Sequence, residues 1–305
     1  MVYGLIAAAG WGISSVAAAQ AARRMGTLAA LLISQATGTI VLAAVLAALR
    51  PHLLTLASTT VLGLAGAGLF SLLGWLTYYR ALEHGPVGIV SGAAATYGGV
   101  TAILALIVLG EPIGRFGGIG DALAVAGVAA AAMQTTGRPQ AAVTINGIPM
   151  PRQWVLDGRA PARNVPWGLL LAIASALTYG TGAFWLGAYA ASAGWLVSAL
   201  TVYIVSVTVL LVALICRRQR PRYGSAGLSW AVAAGLAEAV ALVAFARGGQ
   251  AGEVAVTAAV SSTYPVIPLA VGLFLFRERL SALQVLGICV AVTGLTLVSM
   301  SSRVI

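Results

Sequence analysis

Apolar residues run along this chain in blocks of about 18 to 25, the length that crosses roughly 30 Å of hydrocarbon at about 1.5 Å per helical residue. Short stretches rich in arginine, proline or glycine separate the blocks, and none of them alternates apolar and polar residues as a barrel strand would. The pattern predicts ten transmembrane helices, at about residues 2–21, 27–49, 61–82, 86–109 and 117–136, then 166–191, 194–216, 228–246, 252–276 and 281–300. Arg23-Arg24 separates the first pair, and Arg50-Pro51 stops the second span. Residues 137–165 hold four prolines, three glycines and four arginines without apolar periodicity, and read as a polar linker. The first block resembles a secretory signal in its small residues but lacks a basic lead, so it is read as a retained first span.

The blocks are duplicated. Arg80 and Arg247, Gly85 and Gly252, Tyr97 and Tyr264, Glu111 and Glu278, Gly120 and Gly287, and Met133 and Met300 all stand 167 positions apart, with no gap. Residues 1–136 and 166–305 therefore read as two homologous halves of five spans each. An odd number of spans per half turns the second half upside down relative to the first, so the expected fold is all-α, a polytopic membrane protein built as an inverted repeat. Both halves interrupt one span at the same place, with Tyr97-Gly98-Gly99 in the fourth and Tyr264-Pro265, then Pro268, in the ninth. Gly98, Gly99, Pro265 and Pro268 are thus the candidate helix breaks or hinges. Pro265 and Pro268 lack an N–H, which is expected to strip the carbonyls of Ser261 and Tyr264 of their helical partners.

Composition agrees with a bilayer. Hydrophobic residues make up 60%, charged residues 8%, and mean hydropathy is +0.98, whereas soluble domains are about a quarter charged. The net charge of +10 is carried by arginine with no lysine. The arginines are scattered through the loops, which argues for compositional bias and against a nucleic-acid partner. Cys216 and Cys289 suggest neither a disulfide nor a metal site, and His52 and His84 lack partners at ligand spacing. No hydrolase, metalloprotease or phosphate-loop motif occurs, so the chain reads as neither an enzyme nor an ATP-driven pump, with no cofactor.

Among candidate transport residues Glu238 is the most informative. It sits mid-way along the eighth span, where a carboxylate costs roughly 2.5 to 3.5 kcal/mol to insert, and it is expected to face a cavity and to hold a substrate ammonium or a coupling proton. Trp11 and Tyr179 occupy matching places in the first and sixth spans, Tyr97 and Tyr264 flank the breaks, and Tyr78 adds a further ring; such rings stack on ligands or cations. Ser15 shares the face of Trp11 one turn on. Tyr79 and Trp185 read as packing or belt residues. Glu111, Glu278 and Asp121, near helix starts, read as caps and dipole partners, and Arg80 and Arg247 as snorkelling helix ends. Gly63, Gly66 and Gly68 are expected to let backbones approach.

These features resemble the drug/metabolite transporter superfamily, of the type with two EamA-like repeats. The resemblance rests on Trp11-Gly12 with Tyr179-Gly180, on Leu109-Gly110-Glu111-Pro112 and Phe276-Arg277-Glu278-Arg279-Leu280, and on Gly120 and Gly287. It covers nearly the whole chain except the linker, with Gly98 standing where the family often has proline. The resemblance implies ten helices around a central cavity, lined chiefly by spans 1, 3, 4, 6, 8 and 9, that opens alternately to either side. It implies a secondary transporter of the cell (plasma or inner) membrane, moving a small metabolite, plausibly an amino acid or related amphipathic compound, usually outward, with protons as a candidate coupling ion. The competing readings are uptake by the same fold and a scaffold or accessory subunit without transport.

With ten spans both termini share one side. The opposite side carries thirteen arginines (Arg23, Arg24, Arg80, four within 138–163, four within 217–222, Arg277 and Arg279), and the termini side carries Arg50, Arg115, Arg247 and Arg303. Family resemblance suggests cytoplasmic termini, but the positive-inside rule places them outside. A reporter active only outside the cytoplasm, fused after Ile305, is expected to be active; an inactive reporter, with a cytoplasmic one active in its place, would reverse the orientation.

Overall fold

The computed structural model describes residues 1–49, 57–84, 90, 93–110, 165–217 and 225–267, with single positions or short pieces within 118–130, 144–149 and 283–297. Its helices are α1 (Val2–Met25), α2 (Thr27–Leu49), α3 (Ser58–His84), α4 (Tyr97–Leu104), α5 (Val165–Ala193), α6 (Trp195–Arg217), α7 (Ser225–Gln250) and α8 (Val254–Ser261). A π-helical turn, Ala105–Leu109, extends α4. Six of these, α1 to α3 and α5 to α7, are long and apolar enough to cross a membrane. They coincide with the expected first three spans and the expected sixth to eighth. The ranges expected for a fifth and a tenth span lie largely outside the described residues, as do Glu111, Asp121, Glu278, His52 and Pro268.

Helix ends differ from expectation where glycine sets the turn. Arg23-Arg24 lies inside the last turns of α1, which runs on to Met25; the chain reverses at Gly26, whose φ of 85° is costly for any residue with a Cβ. Gly194, 168 positions later with φ 79°, makes the same single-residue turn between α5 and α6. Within the linker, Thr144–Ile145 pairs antiparallel with Ile148–Pro149. The intervening Asn146-Gly147 is the pair that two-residue hairpin loops favour.

The helices pack in corresponding pairs. α1 lies along α7 and α3 along α5; α2 meets α7 and α6 meets α3; α8 crosses α1 and α4 crosses α5; α2 meets α6 and α4 meets α8. Exchanging the two halves maps each of these contacts onto another of them or onto itself. Glycines repeat the correspondence at atomic scale. A Cβ on Gly12 would stand 2.6 Å from Ile267 Cβ and 2.9 Å from the carbonyl oxygen of Tyr264; one on Gly180 would stand 2.7 Å from Val100 Cβ and 2.8 Å from the carbonyl oxygen of Tyr97. The correspondence is incomplete: α7 also packs on α5, α6 and α8, whereas α3 makes no comparable contact with α1, α2 or α4 among the described residues.

Small residues make these approaches possible where lipid supplies no hydrophobic drive for helix association. Gly68 lies on Val205 and Gly63 on the Tyr189 ring, but Gly66 has nothing within 4 Å and plays no part in packing, contrary to the sequence expectation. At Gly235 of α7 a Cβ would collide with the backbone carbonyl of Ser34 on α2. Gly235→Ala is therefore expected to cost about 1–3 kcal/mol and to lower the melting temperature in detergent, whereas Gly66→Ala leaves it unchanged or raises it. Equal effects of the two substitutions would contradict this packing.

Candidate functional site

The two helix breaks lie against each other. α8 stops at Ser261, and turns carry the chain through residues 262–265. Backbone carbonyls at such a break have no water to turn to within hydrocarbon, so the protein must supply the donors. Three consecutive hydroxyls do so: Ser261 donates to the carbonyl of Ala258 at 3.0 Å, Ser262 to Ala259 at 2.7 Å and Thr263 to Val260 at 2.7 Å. The carbonyls of Ser261 and Tyr264, expected to be orphaned, are also bonded. Tyr264 N–H donates to the first at 3.1 Å and Ile267 N–H to the second at 3.1 Å, because the chain tightens to i→i+3 bonds. In the fourth span Thr96 closes the equivalent gap, its hydroxyl bonding the carbonyl of Ala93 at 2.7 Å. Gly99 N–H donates to the carbonyl of Thr96 at 3.0 Å. At Gly98 a Cβ would meet Ser262 Cβ at 2.6 Å and the carbonyl oxygen of Ala258 at 2.8 Å, so the residue that departs from the family pattern is the one that lets the breaks touch.

Around the breaks stand the aromatic rings. Tyr97 shares a 2.8 Å hydrogen bond with Ser261 Oγ. Its ring lies edge-on to Tyr179 at 5.0 Å and to Trp11 at 5.9 Å, and tilted to Tyr264 at 6.5 Å. Trp11 also meets Tyr179 edge-on at 5.8 Å and Phe245 at 5.6 Å. The hydroxyls of Tyr78 and Tyr264 are hydrogen-bonded. Thr101 ties the fourth span to α5, donating to the carbonyl of Gly180 at 2.8 Å.

These rings wall a cavity of about 360 Å³, its mouth included, lined by Trp11, Gly74, Trp75, Tyr78, Ala94, Tyr97, Ser175, Tyr179 and Tyr264. It lies between α1 and α3, where the corresponding helices of the second half are packed together. Five of the seven candidate transport residues thus come together: Trp11, Tyr78, Tyr97, Tyr179 and Tyr264. Trp75 was missed, although it stands one turn before Tyr78 and so shares its face; it packs edge-on to Tyr78 at 6.0 Å and to Tyr179 at 5.7 Å. The small residues Gly74, Ala94 and Ser175 make the space and carried no signal of their own.

Ser15 and Glu238 do not line the cavity. The Ser15 hydroxyl bonds the carbonyl of Trp11 at 2.7 Å within its own helix. Glu238 is buried at 5% exposure and points to α2, where Gln35 Nε2 donates to Oε1 at 2.9 Å and Ser34 Oγ to Oε2 at 3.2 Å. Neither partner was singled out in the sequence, although a Ser-Gln pair inside the apolar second span is the kind of polar interruption that reveals a buried network. Elsewhere Tyr79 is buried beside Trp75 and Tyr78, Trp185 stacks on Tyr189 at 5.6 Å, and the Arg247 guanidinium lies 4.3 Å from the Trp195 ring centre. Among the described residues no three metal-ligating side chains cluster.

What the cavity can do follows from its lining. Its described lining carries no formal charge, so what it can offer a ligand is ring contacts and hydrogen bonds. The Trp11 indole N–H is buried and has no hydrogen-bond partner among the described residues, an arrangement that buried donors rarely tolerate.

Comparison with known proteins agrees with this architecture. A solved crystal structure superposes with a TM-score of 0.70 at 17% sequence identity, over 99% of this chain and 96% of its own, which shows the shared fold. No curated protein matches the sequence. The sequence profile of the EamA-like transporter family matches residues 1–133 and again 166–300, which is all but residues 134–165 and the last five. Two family matches, each carrying one of the two facing helix breaks, place this membrane protein in the EamA-like transporter family, within the drug/metabolite transporter superfamily.

Proposed function

We propose that this protein is a secondary transporter that exports a small amphipathic metabolite of about amino-acid size across the cell membrane by alternating access. The observation that carries the reading is the ring-walled cavity at the two facing helix breaks, lined by Trp11, Trp75, Tyr78, Tyr97, Tyr179 and Tyr264. An oxygen acceptor on the ligand, such as a carbonyl or carboxylate, would satisfy the Trp11 donor, while a flat or apolar part packs against Trp75, Tyr78, Tyr97 and Tyr179.

Alternating access draws its support from the asymmetry between the halves. We read the chain as ten spans in two inverted units, in which α1 corresponds to α5 and α3 to α7. The cavity parts α1 from α3 while α5 and α7 are closed on each other. Under the 167-residue offset, Gly74, Trp75, Tyr78 and Ala94 correspond to Ala241, Leu242, Phe245 and Ser261, and under the spacing of 168 that relates Trp11 to Tyr179, Ser175 corresponds to Ala7. All five counterparts are buried. If each half adopts the packing of the other, this closed region opens as the present cavity seals. Two packings built from equivalent contacts differ little in energy, as a bistable carrier requires.

The test is an untargeted comparison of metabolites in cells and medium when the protein is overproduced. One or a few small amphipathic compounds are expected to move to the medium, and Trp11→Phe, which keeps a ring but removes the donor, is expected to lower that flux roughly three- to tenfold at equal membrane abundance. Accumulation inside the cell would mean uptake. No redistribution of any compound would overturn the transporter reading in favour of a scaffold.

A further inference from the structure

We propose that Glu238, with Ser34, Gln35 and Tyr203, forms a proton-binding site in the middle of the membrane, separate from the substrate cavity. Glu238 is the fourteenth of the 26 residues of α7, so it sits mid-span. It is held by two neutral donors from α2, one on each carboxylate oxygen. No ion pair reaches it among the described residues. The titratable groups that face it are the phenols of Tyr79 on α3, Tyr179 on α5 and Tyr203 on α6. α1, α2 and α8 present it with no charged side chain among the described residues.

A carboxylate without a counter-charge in hydrocarbon is costly enough that positive charge must come from outside the protein. The surroundings limit the size of what can bring it. One turn before Glu238, Gly235 presses on the Ser34 carbonyl, and one turn beyond Gln35 the Tyr203 ring lies across Gly38. Glu238 is itself buried and outside the lining of the cavity, so the cation that suits it is one that needs no space, a proton. Tyr203 supplies an independent sign of a polar site: it is fully buried and its hydroxyl has no partner among the described residues.

Both charge states can be satisfied with one small movement. In the carboxylate, the Ser34 hydroxyl donates to Oε2. When a proton from water binds Oε2, the Ser34 hydroxyl turns to accept it, and Gln35 Nε2 continues to donate to Oε1, now the carbonyl oxygen of the acid. The repeat offset places Ser71 at the equivalent position of the first half, so each chain carries one such site. It clamps α2 to α7, the helix that closes on α5, and so stands where gain or loss of charge can bias the gate without touching substrate.

The test uses the full chain in lipid without substrate, so its outcome is independent of the transport reading. Dicyclohexylcarbodiimide reacts with protonated carboxyls in apolar surroundings, and peptide mass spectrometry locates the adduct. Labelling is expected at Glu238, at least fivefold above the half-exposed Glu253, and falling at least tenfold as the medium is made alkaline, with sodium or potassium at fixed pH having no effect. Ser34→Ala is expected to displace that profile along the pH axis, while Ser206→Ala, buried on α6, leaves it in place. No labelling of Glu238, labelling indifferent to pH, protection by sodium, or a Ser34→Ala profile that does not move would each overturn the proposal.

Discussion

The structure depends on satisfying backbone carbonyls at two helix breaks where no water is available. An unpaired carbonyl in hydrocarbon costs several kcal/mol, so a broken span survives only if its own side chains and its neighbours close the gap. Ser261, Ser262 and Thr263 bond the carbonyls of Ala258, Ala259 and Val260, and tightened i→i+3 bonds satisfy those of Ser261 and Tyr264. The break in the fourth span uses Thr96 in the same way. Once the backbone is sealed internally, the breaks can pack face to face, and Gly98, Gly12 and Gly180 bring their neighbours close enough to do so.

That packing decides where the rings stand. Tyr97 and Tyr264 project from the two breaks, and Trp11 and Tyr179 sit one residue before the glycines on which the opposite breaks rest. The same contacts that stabilise the interruption therefore assemble the wall of the cavity. The halves differ in what they place around it. The first half contributes Trp75 and Tyr78, and the second has Leu242 and Phe245 at the equivalent positions. The closed side is thus purely apolar at these two places and packs well, while the open side keeps an indole N–H and a phenol that can address a ligand.

Much of this was legible in the chain. The apolar blocks located α1 to α3 and α5 to α7, and the 167-residue offset paired Tyr97 with Tyr264 before any geometry was known. Local chemistry was read less well. The arginines after the first span suggested a loop, but arginine continues a helix readily and Gly26 turns it instead. Proline signalled a break in the ninth span, yet not that the carbonyls it orphans find donors three residues on. Non-local placement was not legible at all. The cost of burying Glu238 is evident from one residue, but its attachment to Ser34 and Gln35, more than 200 positions away, follows only from the crossing of α2 and α7. Trp75 shares a helical face with Tyr78 and Tyr79, a spacing equally compatible with core packing, so sequence alone does not single it out.

The central claim is that the cavity between α1 and α3 and the closed region between α5 and α7 exchange roles. Single cysteines at Ala94 and Ala241, in a chain with Cys216 and Cys289 replaced by serine, put it to the test with a membrane-impermeant thiol reagent applied to right-side-out and inverted vesicles. The account predicts that Ala94→Cys reacts from one face and Ala241→Cys from the opposite face. Reaction of both from the same face, or no reaction of Ala241→Cys from either, would contradict it.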